Sequence, residues 1–336
     1  MLTNRQAAIL DFIVGEYIAS ATPVPSNSIA KRAMKVSSAT VRNEMAELEE
    51  GGYILRRHIS GGGIPSNKGY RFHVEAMSPQ PGLSEEDEAW VRQKFLEAKQ
   101  DVEAGTRVVT DVLSRLAHNL AVATFPKAQQ ARLKRLELVE LQEALTLLVL
   151  VLQEARTRQR LLHLATTMKQ HELTTLSNKL SALYGGSTRE ALASAEGELT
   201  PVERQVLKAT DEILLEEDAR EFEEPHVSGL RHLLNQPEFA NSDKMRRLVD
   251  VLEDRTFLKQ TLPKVLAGEQ FRAVIGEENE TDEMQECSVL VSRYGSANGI
   301  RGLIAVIGPT RMEYRRSIGS VKLLSSLMND LVNELS

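Results

Sequence analysis

Residues 37–58 read SSATVRNEMAELEEGGYILRRH, and this stretch decides the fold of the first part of the chain. Ser37 or Ser38 can cap a helix that runs to about Glu50, where Gly51-Gly52 stops it. Val41, Met45 and Leu48 recur at i, i+4 and i+7, which makes them the buried face. Ala39, Asn43 and Ala46 then lie opposite, with Thr40 and Arg42 on the flanks. Such a face can read base edges. Asn bonds adenine through two atoms, Arg bonds guanine, and Ala or Thr touches a thymine methyl. The base-reading set expected here is Ser38, Ala39, Thr40, Arg42 and Asn43. Glu47, Glu49 and Glu50 fall at the far end of the helix, away from such a contact.

Upstream, Thr3 and Gln6 have the spacing of a capping box, and Ile9, Leu10, Ile13, Val14 and Tyr17 form one apolar stripe. Pro23 and Pro25 end that helix. Ser26 can cap a second helix over 27–34 with Ile29 and Ala33 inward, and Lys35-Val36-Ser37 is a short turn. Two short helices joined by three residues are a helix-turn-helix signature. Downstream, residues 53–58 are strand-like and Gly61-Gly62-Gly63 with Ile64-Pro65 complete a hairpin. That hairpin is a wing. Its Arg56, Arg57 and His58, with Lys68 and Arg71 just after, suit phosphate or minor-groove contact. The glycines do not form a phosphate-binding GxxxxGK[ST] loop.

Charge supports a nucleic-acid end and a different end. The 336 residues carry a net charge of −6, yet residues 31–71 hold 8 basic and 4 acidic groups, and residues 196–224 hold 3 basic and 11 acidic. Ordinary globular composition, 42% hydrophobic and 26% charged, excludes a disordered or fibrous chain. The longest nearly apolar run, Leu145 to Leu152, is far short of a membrane helix. The single Cys287 excludes an internal disulfide framework and any multi-cysteine metal site. No basic-then-apolar segment opens the chain, and a cytoplasmic location is expected.

Residues 38–55 with the following HISGGGIPSNKGYRFHVE closely resemble the DNA-binding module of the HrcA family of heat-inducible transcription repressors. The stretch CSVLVSRYG…GLIAVIGPTRMEYRR, residues 287–316, resembles the family's other signature. Two departures stand out: the family usually has a basic residue where Gly63 stands, and a Gly-Ser-basic run where Pro25-Ser26-Asn27 stands.

In the body, Ser78-Pro79-Gln80-Pro81-Gly82 is a linker, and Ser84 caps a helical stretch expected to reach about Leu120. Strands are expected at 133–141, 144–153 and 159–166, a helix at 172–184, strands at 271–275, 288–294 and 302–307, and a last helix with Thr310 and Glu313 as its capping box. Strands, a helical block and strands again predict one α+β sheet domain with an insertion. The expected division is a winged helix at 1–77, a linker at 78–83, a sheet domain at 84–185 and 263–336, and an insertion at 186–262. The resemblance implies that the sheet domain is GAF-like and the mainly helical insertion dimerises. It also implies repression of chaperone genes from a CIRCE-class inverted-repeat operator on double-stranded DNA, and regulation by the chaperonin GroEL. A small-molecule-gated regulator sensing an effector through the GAF-like domain is the alternative.

No catalytic constellation is present. The seven histidines are scattered, Cys287 reads as a core thiol, and Asn279-Glu280-Thr281 has only the form of a glycosylation sequon. No enzyme activity, cofactor, metal or membrane partner is expected. Ile307-Gly308-Pro309-Thr310-Arg311 reads as a strand-to-helix turn, with Arg311 open to a ligand or partner contact.

Overall fold

The computed structural model describes residues 2–33, 36–56, 62–77, 82–97, 102–128, 130–142, 145–153, 157–194, 199–219, 225–239, 242–266, 268–296 and 299–335. The chain is mixed α/β. It divides into two compact units: Met1–Phe125, Glu224–Gly295 and Gly302–Leu335 form the first, Pro126–Glu223 and Ser296–Arg301 the second.

The first unit opens with helices α1 (Asn4–Ser20), α2 (Ser26–Arg32) and α3 (Ser38–Glu50), strands β1 (Ile54–Leu55) and β2 (Ile64–Pro65), and helix α4 (Asn67–Ala76). The Thr3–Gln6 capping box forms, and Ser37 caps α3 through the amide of Thr40. Ile9, Leu10, Ile13, Val14, Ile29, Val41, Met45, Leu48 and Ile54 make the core of this module. Two local expectations change. Pro25 rather than Ser26 occupies the cap of α2, without a side-chain bond, and Ala33 is exposed because the helix ends at Arg32. Helix α4 stands where the sequence pattern offered no element; Ser66 caps it by accepting from the amide of Gly69.

Helices α5 (Glu85–Leu96) and α6 (Val102–Ala117) and strand β3 (Leu120–Ala123) replace the single helix expected to Leu120. His118, with φ +50°, and Asn119, whose amide donates to the carbonyl of Ala117, close α6. The apolar run Leu120–Ala123 is then free to extend into the sheet.

The second unit follows with β4 (Lys127–Ala128), β5 (Leu133–Gln142), β6 (Leu145–Leu152), β7 (Thr157–His163), α7 (Gln170–Tyr184), α8 (Arg189–Ala193) and α9 (Pro201–Ala219). β5, β6 and β7 form their own antiparallel sheet. Leu136, Leu138, Leu148, Leu150 and Leu162 on one face pack with Leu173, Leu176 and Leu180 of α7 and Val206, Ala209 and Ile213 of α9. This corrects the expectation of a single sheet domain formed from 84–185 and 263–336. The unit also contains the whole stretch 133–163, whereas the expected insertion began at 186. Strand composition marks these segments as buried but does not say against which partner.

The chain returns to the first unit with β8 (His226–Ser228), α10 (Leu230–Leu234), α11 (Ser242–Glu253), α12 (Arg255–Leu266), β9 (Phe271–Ile275), β10 (Cys287–Gly295), β11 (Ile300–Pro309) and α13 (Tyr314–Leu335). The sheet has six strands in the order β8-β3-β11-β10-β9 with β4 also paired to β11, and its β8–β3, β3–β11, β11–β4 and β10–β9 pairs are antiparallel. Residues 242–262, expected within the insertion, belong here instead, and α12 packs on β9 and β10. The last helix begins at Tyr314, so Thr310 and Glu313 precede it and make no capping box. Tyr294 is buried and its hydroxyl donates to the carbonyl of Thr124; Gly302 is required beneath the ring, since a Cβ there would sit 2.3 Å from Tyr294 Cζ. Asn279 is buried, and its amide reaches the carbonyls of Gly276, Met284 and Cys287 at 2.8–3.0 Å. It staples the loop between β9 and β10.

Cys287 is fully buried at the start of β10, and burial pushes its thiol pKa up to about 12. A disulfide reagent at pH 8 should leave the native chain unmodified and label it once denatured, because the thiolate is the reactive form. Stoichiometric labelling of the native chain would contradict the placement of β10.

Candidate nucleic-acid interface

Helix α3 turns Val41, Met45 and Leu48 inward and leaves Ala39, Arg42, Asn43 and Ala46 exposed. Ser38 and Thr40 are half-buried at its first turn. Ser38 Oγ donates to Asn27 Oδ1 at 2.6 Å and lies 3.2 Å from Ser26 Oγ, which ties the starts of α2 and α3 together. Thr40 Oγ1 is 2.9 Å from Ser37 Oγ. Ala39, Arg42 and Asn43 therefore present the open surface of the helix, while the two hydroxyls hold its first turn in place.

At the back of α3, Glu47 accepts from Gln6 Nε2 at 2.6 Å and Glu44 accepts from Arg5 Nη1 at 3.1 Å, so both carboxylates bind α1. The acidic end that the sequence placed away from DNA thus has a structural use. It holds α3 on α1.

The basic residues after α3 are arranged differently from a row of free cations. Arg56 is paired with Glu49, and its side chain is 8% exposed. Lys68 donates to the carbonyl of Gly51 at 2.8 Å with its ammonium 4.4 Å from the centre of the Tyr53 ring. Arg71 lies on α4 and grips Glu278 and the carbonyl of Ala273. Arg57 and His58 lie outside the described residues. No sequence signal separates a wing cation from one that folds back, since both are simply basic residues near a glycine tip. The cap signal at Ser66 was the clue to α4, and with it to the inward use of Arg71.

The hairpin is joined to the start of the module by paired hydrogen bonds between Val24 and Gly63, both 2.9 Å. This gives a reason for the glycines. A Cβ at Gly63 would lie 3.0 Å from Met45 Cε and 3.2 Å from Ile54 Cδ1, so any larger residue there would have to displace core side chains.

Among the described residues no group of His, Cys, Asp and Glu could hold a metal ion, and no helix is long and apolar enough to cross a membrane.

The model of the HrcA protein C-terminal domain matches residues 106–318. The chain is also 38% identical to a heat-inducible transcription repressor HrcA of Dehalococcoides mccartyi strain 195, over 100% of this chain and 97% of that protein. The chain belongs to the HrcA family. The HrcA repressor of Herpetosiphon aurantiacus is 35% identical over 99% of this chain and 96% of its own. The family's name is that of a transcription repressor rather than of an enzyme. A crystal structure of a hypothetical protein, 21% identical, shares the fold over 100% of this chain and 99% of its own at a TM-score of 0.62.

Gly62 is the tightest point of the hairpin: a Cβ there would fall 2.5 Å from the carbonyl carbon of Pro23. Gly62→Ala should destabilise the chain by about 1–3 kcal/mol through forced backbone movement. Urea unfolding followed by the fluorescence of the nearby tyrosines measures it. An unchanged midpoint would show that the hairpin does not press on residue 23.

Proposed function

We propose that this chain is a DNA-binding transcriptional repressor of heat-shock chaperone genes, acting in the cytoplasm as a homodimer on a CIRCE-type inverted repeat. The observation that carries the reading is the exposed Ala39–Arg42–Asn43 face of α3, in a chain whose relatives are named as heat-inducible repressors along their whole length. In this reading residues 1–77 are a winged helix-turn-helix, with α3 in the major groove and the hairpin beside it. Ser38 and Thr40 shape the reading helix. Arg57 and His58 are left as the wing's phosphate contacts, with Arg56 and Lys68 contributing only if DNA draws them from their present partners, while Arg71 is turned inward onto Glu278.

The sheet of the first unit with its helices is read as GAF-like, and the second unit as the inserted dimerisation domain. The outer face of the β5-β6-β7 sheet supports this. Val139, Leu147 and Leu161 lie side by side across the three strands. Val139 and Leu161 are exposed, at 39% and 56%, and Leu141 at 48% extends the patch. An exposed apolar sheet face is a docking surface. An inverted repeat needs a two-fold partner, and a second copy supplies the same face.

GroEL dependence is read as a folding dependence. β3 must find β11, pairing Ala123 with Ile304 across about 180 residues. Pairing of that range is slow and leaves apolar strands open to capture in intermediates.

Binding of the full chain to an inverted-repeat duplex, refolded with and without GroEL, tests the reading. Operator-binding protein should increase with the chaperonin. Asn43→Ala should cost about 1–3 kcal/mol on the operator and little on random duplex. Equal losses on both would remove Asn43 from base reading.

The dimer face has its own expected outcome. Leu161→Glu should convert the chain from dimer to monomer in light scattering, and operator affinity should fall because the two half-sites no longer share one ligand. A variant that remains dimeric would move the interface off this sheet.

A further inference from the structure

The DNA-binding module and the sheet strands β3, β8, β9 and β10 belong to one compact unit, and two arginines join module and sheet domain at separate points. Arg311, in the turn between β11 and α13, donates through Nη1 to the carbonyl of Ile18 at 2.5 Å. Ile18 lies in the last turn of α1, where helix carbonyls lack intrahelical donors and attract a cation. The same guanidinium donates through Nε to Glu238 at 2.5 Å and through Nη2 to Gln236 at 3.2 Å. Its side chain is 13% exposed. Arg71 makes the second joint from the other direction. It rises from α4 of the module, donates through Nε to Glu278 Oε1 at 2.8 Å, and through Nη2 to the carbonyl of Ala273 at 2.6 Å, on β9. Between them the ring of Tyr70 leans on that of Tyr314, with centroids 5.9 Å apart. Tyr314 is itself held by Thr310 and Ser288.

Two forked cations and an aromatic contact constrain rotation as well as distance. A single joint would leave the module free to swivel. The reading face of α3 stays open throughout, so these contacts do not block it. We propose that Arg311 and Arg71 are positioning residues: they set the direction in which each copy of the chain presents α3, and so the half-site spacing that a dimer accepts. This rests on the reading of the protein as a dimeric operator binder. It assigns Arg71 to orientation through Glu278 rather than to phosphate.

The test uses the full chain and a panel of inverted repeats whose central spacer is lengthened by two or five base pairs. Five pairs turn one half-site by about half a helical turn. The unaltered chain should prefer one spacing by at least about tenfold. Arg311→Ala and Arg71→Glu should each flatten that preference to within about threefold, while affinity for an isolated half-site stays the same. The double variant R71E/E278R, which rebuilds the ion pair with its charges exchanged, should regain spacing preference over R71E. A phosphate contact would not be restored by a change at residue 278, and a general loss of folding would lower half-site binding as well. Retained spacing preference in Arg311→Ala and Arg71→Glu, failure of E278R to rescue, or tighter operator binding on release of either joint would overturn the proposal. An unaltered chain that binds half-sites without spacing preference overturns it and leaves DNA binding standing. An unaltered chain that binds no duplex of the panel overturns the repressor reading, and the proposal with it.

Discussion

The architecture turns on the pairing of β3 with two strands far away in sequence. β3 lies between β11 and β8, with Ala121 opposite both Val306 and Ser228. The chain therefore leaves the first sheet after β3 and the short β4, and comes back on β8, the strand beside β3. About a hundred residues can be accommodated in that excursion without opening the sheet, because its two ends are already neighbours. Tyr294 and Gly302 stabilise the same region. The tyrosine hydroxyl reaches the carbonyl of Thr124, one residue past β3, and the missing Cβ at 302 leaves room for its ring. The backbone amide of Leu303 donates to Thr124 Oγ1 at 2.9 Å, so Thr124 is bound from both sides.

Charge is used internally far more than net charge suggests. On α9, Glu203 is buried and accepts from Lys179 at 2.6 Å, and the hydrogen bonds it accepts hold its carboxyl below the usual range. Arg160 reaches Glu212 and Glu216, and Arg158 grips the buried Glu217 with two nitrogens at 2.6 and 2.8 Å. Glu212, Glu216 and Glu217 of the acidic stretch are therefore partners of the arginines on β7. A buried carboxylate tolerates this position only because its cation comes with it. In the N-terminal module Arg56 is paired with Glu49 and Arg71 with Glu278 in the same way. In the first unit Asp11 is likewise held below the ordinary carboxylate range, mainly by its bond to His73, which links α1 to α4.

Local order was legible from residue types. The capping box at Thr3, the cap at Ser37, the Val41–Met45–Leu48 stripe and the three strands between 133 and 163 depend on spacing within a few residues, and spacing is what a sequence displays. The exposed positions of α3 follow from the same periodicity. Elements whose identity rests on distant partners were not legible. β3 is four residues long and continues an apolar helical pattern, and it becomes a strand because β11 and β8 flank it.

The sequence by itself determined the first three helices and the hairpin strands of the N-terminal module, which face of α3 is turned outward, and the family to which the chain belongs. These depend on near-neighbour periodicity and on motifs read in order. Only the tertiary structure decided which strands share a sheet, where the chain leaves the first unit, and what each cation holds. An apolar strand can be buried against many partners, and a guanidinium binds a neighbouring carboxylate, a helix carbonyl or a phosphate with the same donors. The choice among them is made by which acceptor the fold brings within about 3 Å. For Arg71 that acceptor is Glu278, 207 positions along the chain, and for Arg311 it is the end of α1, 293 positions away.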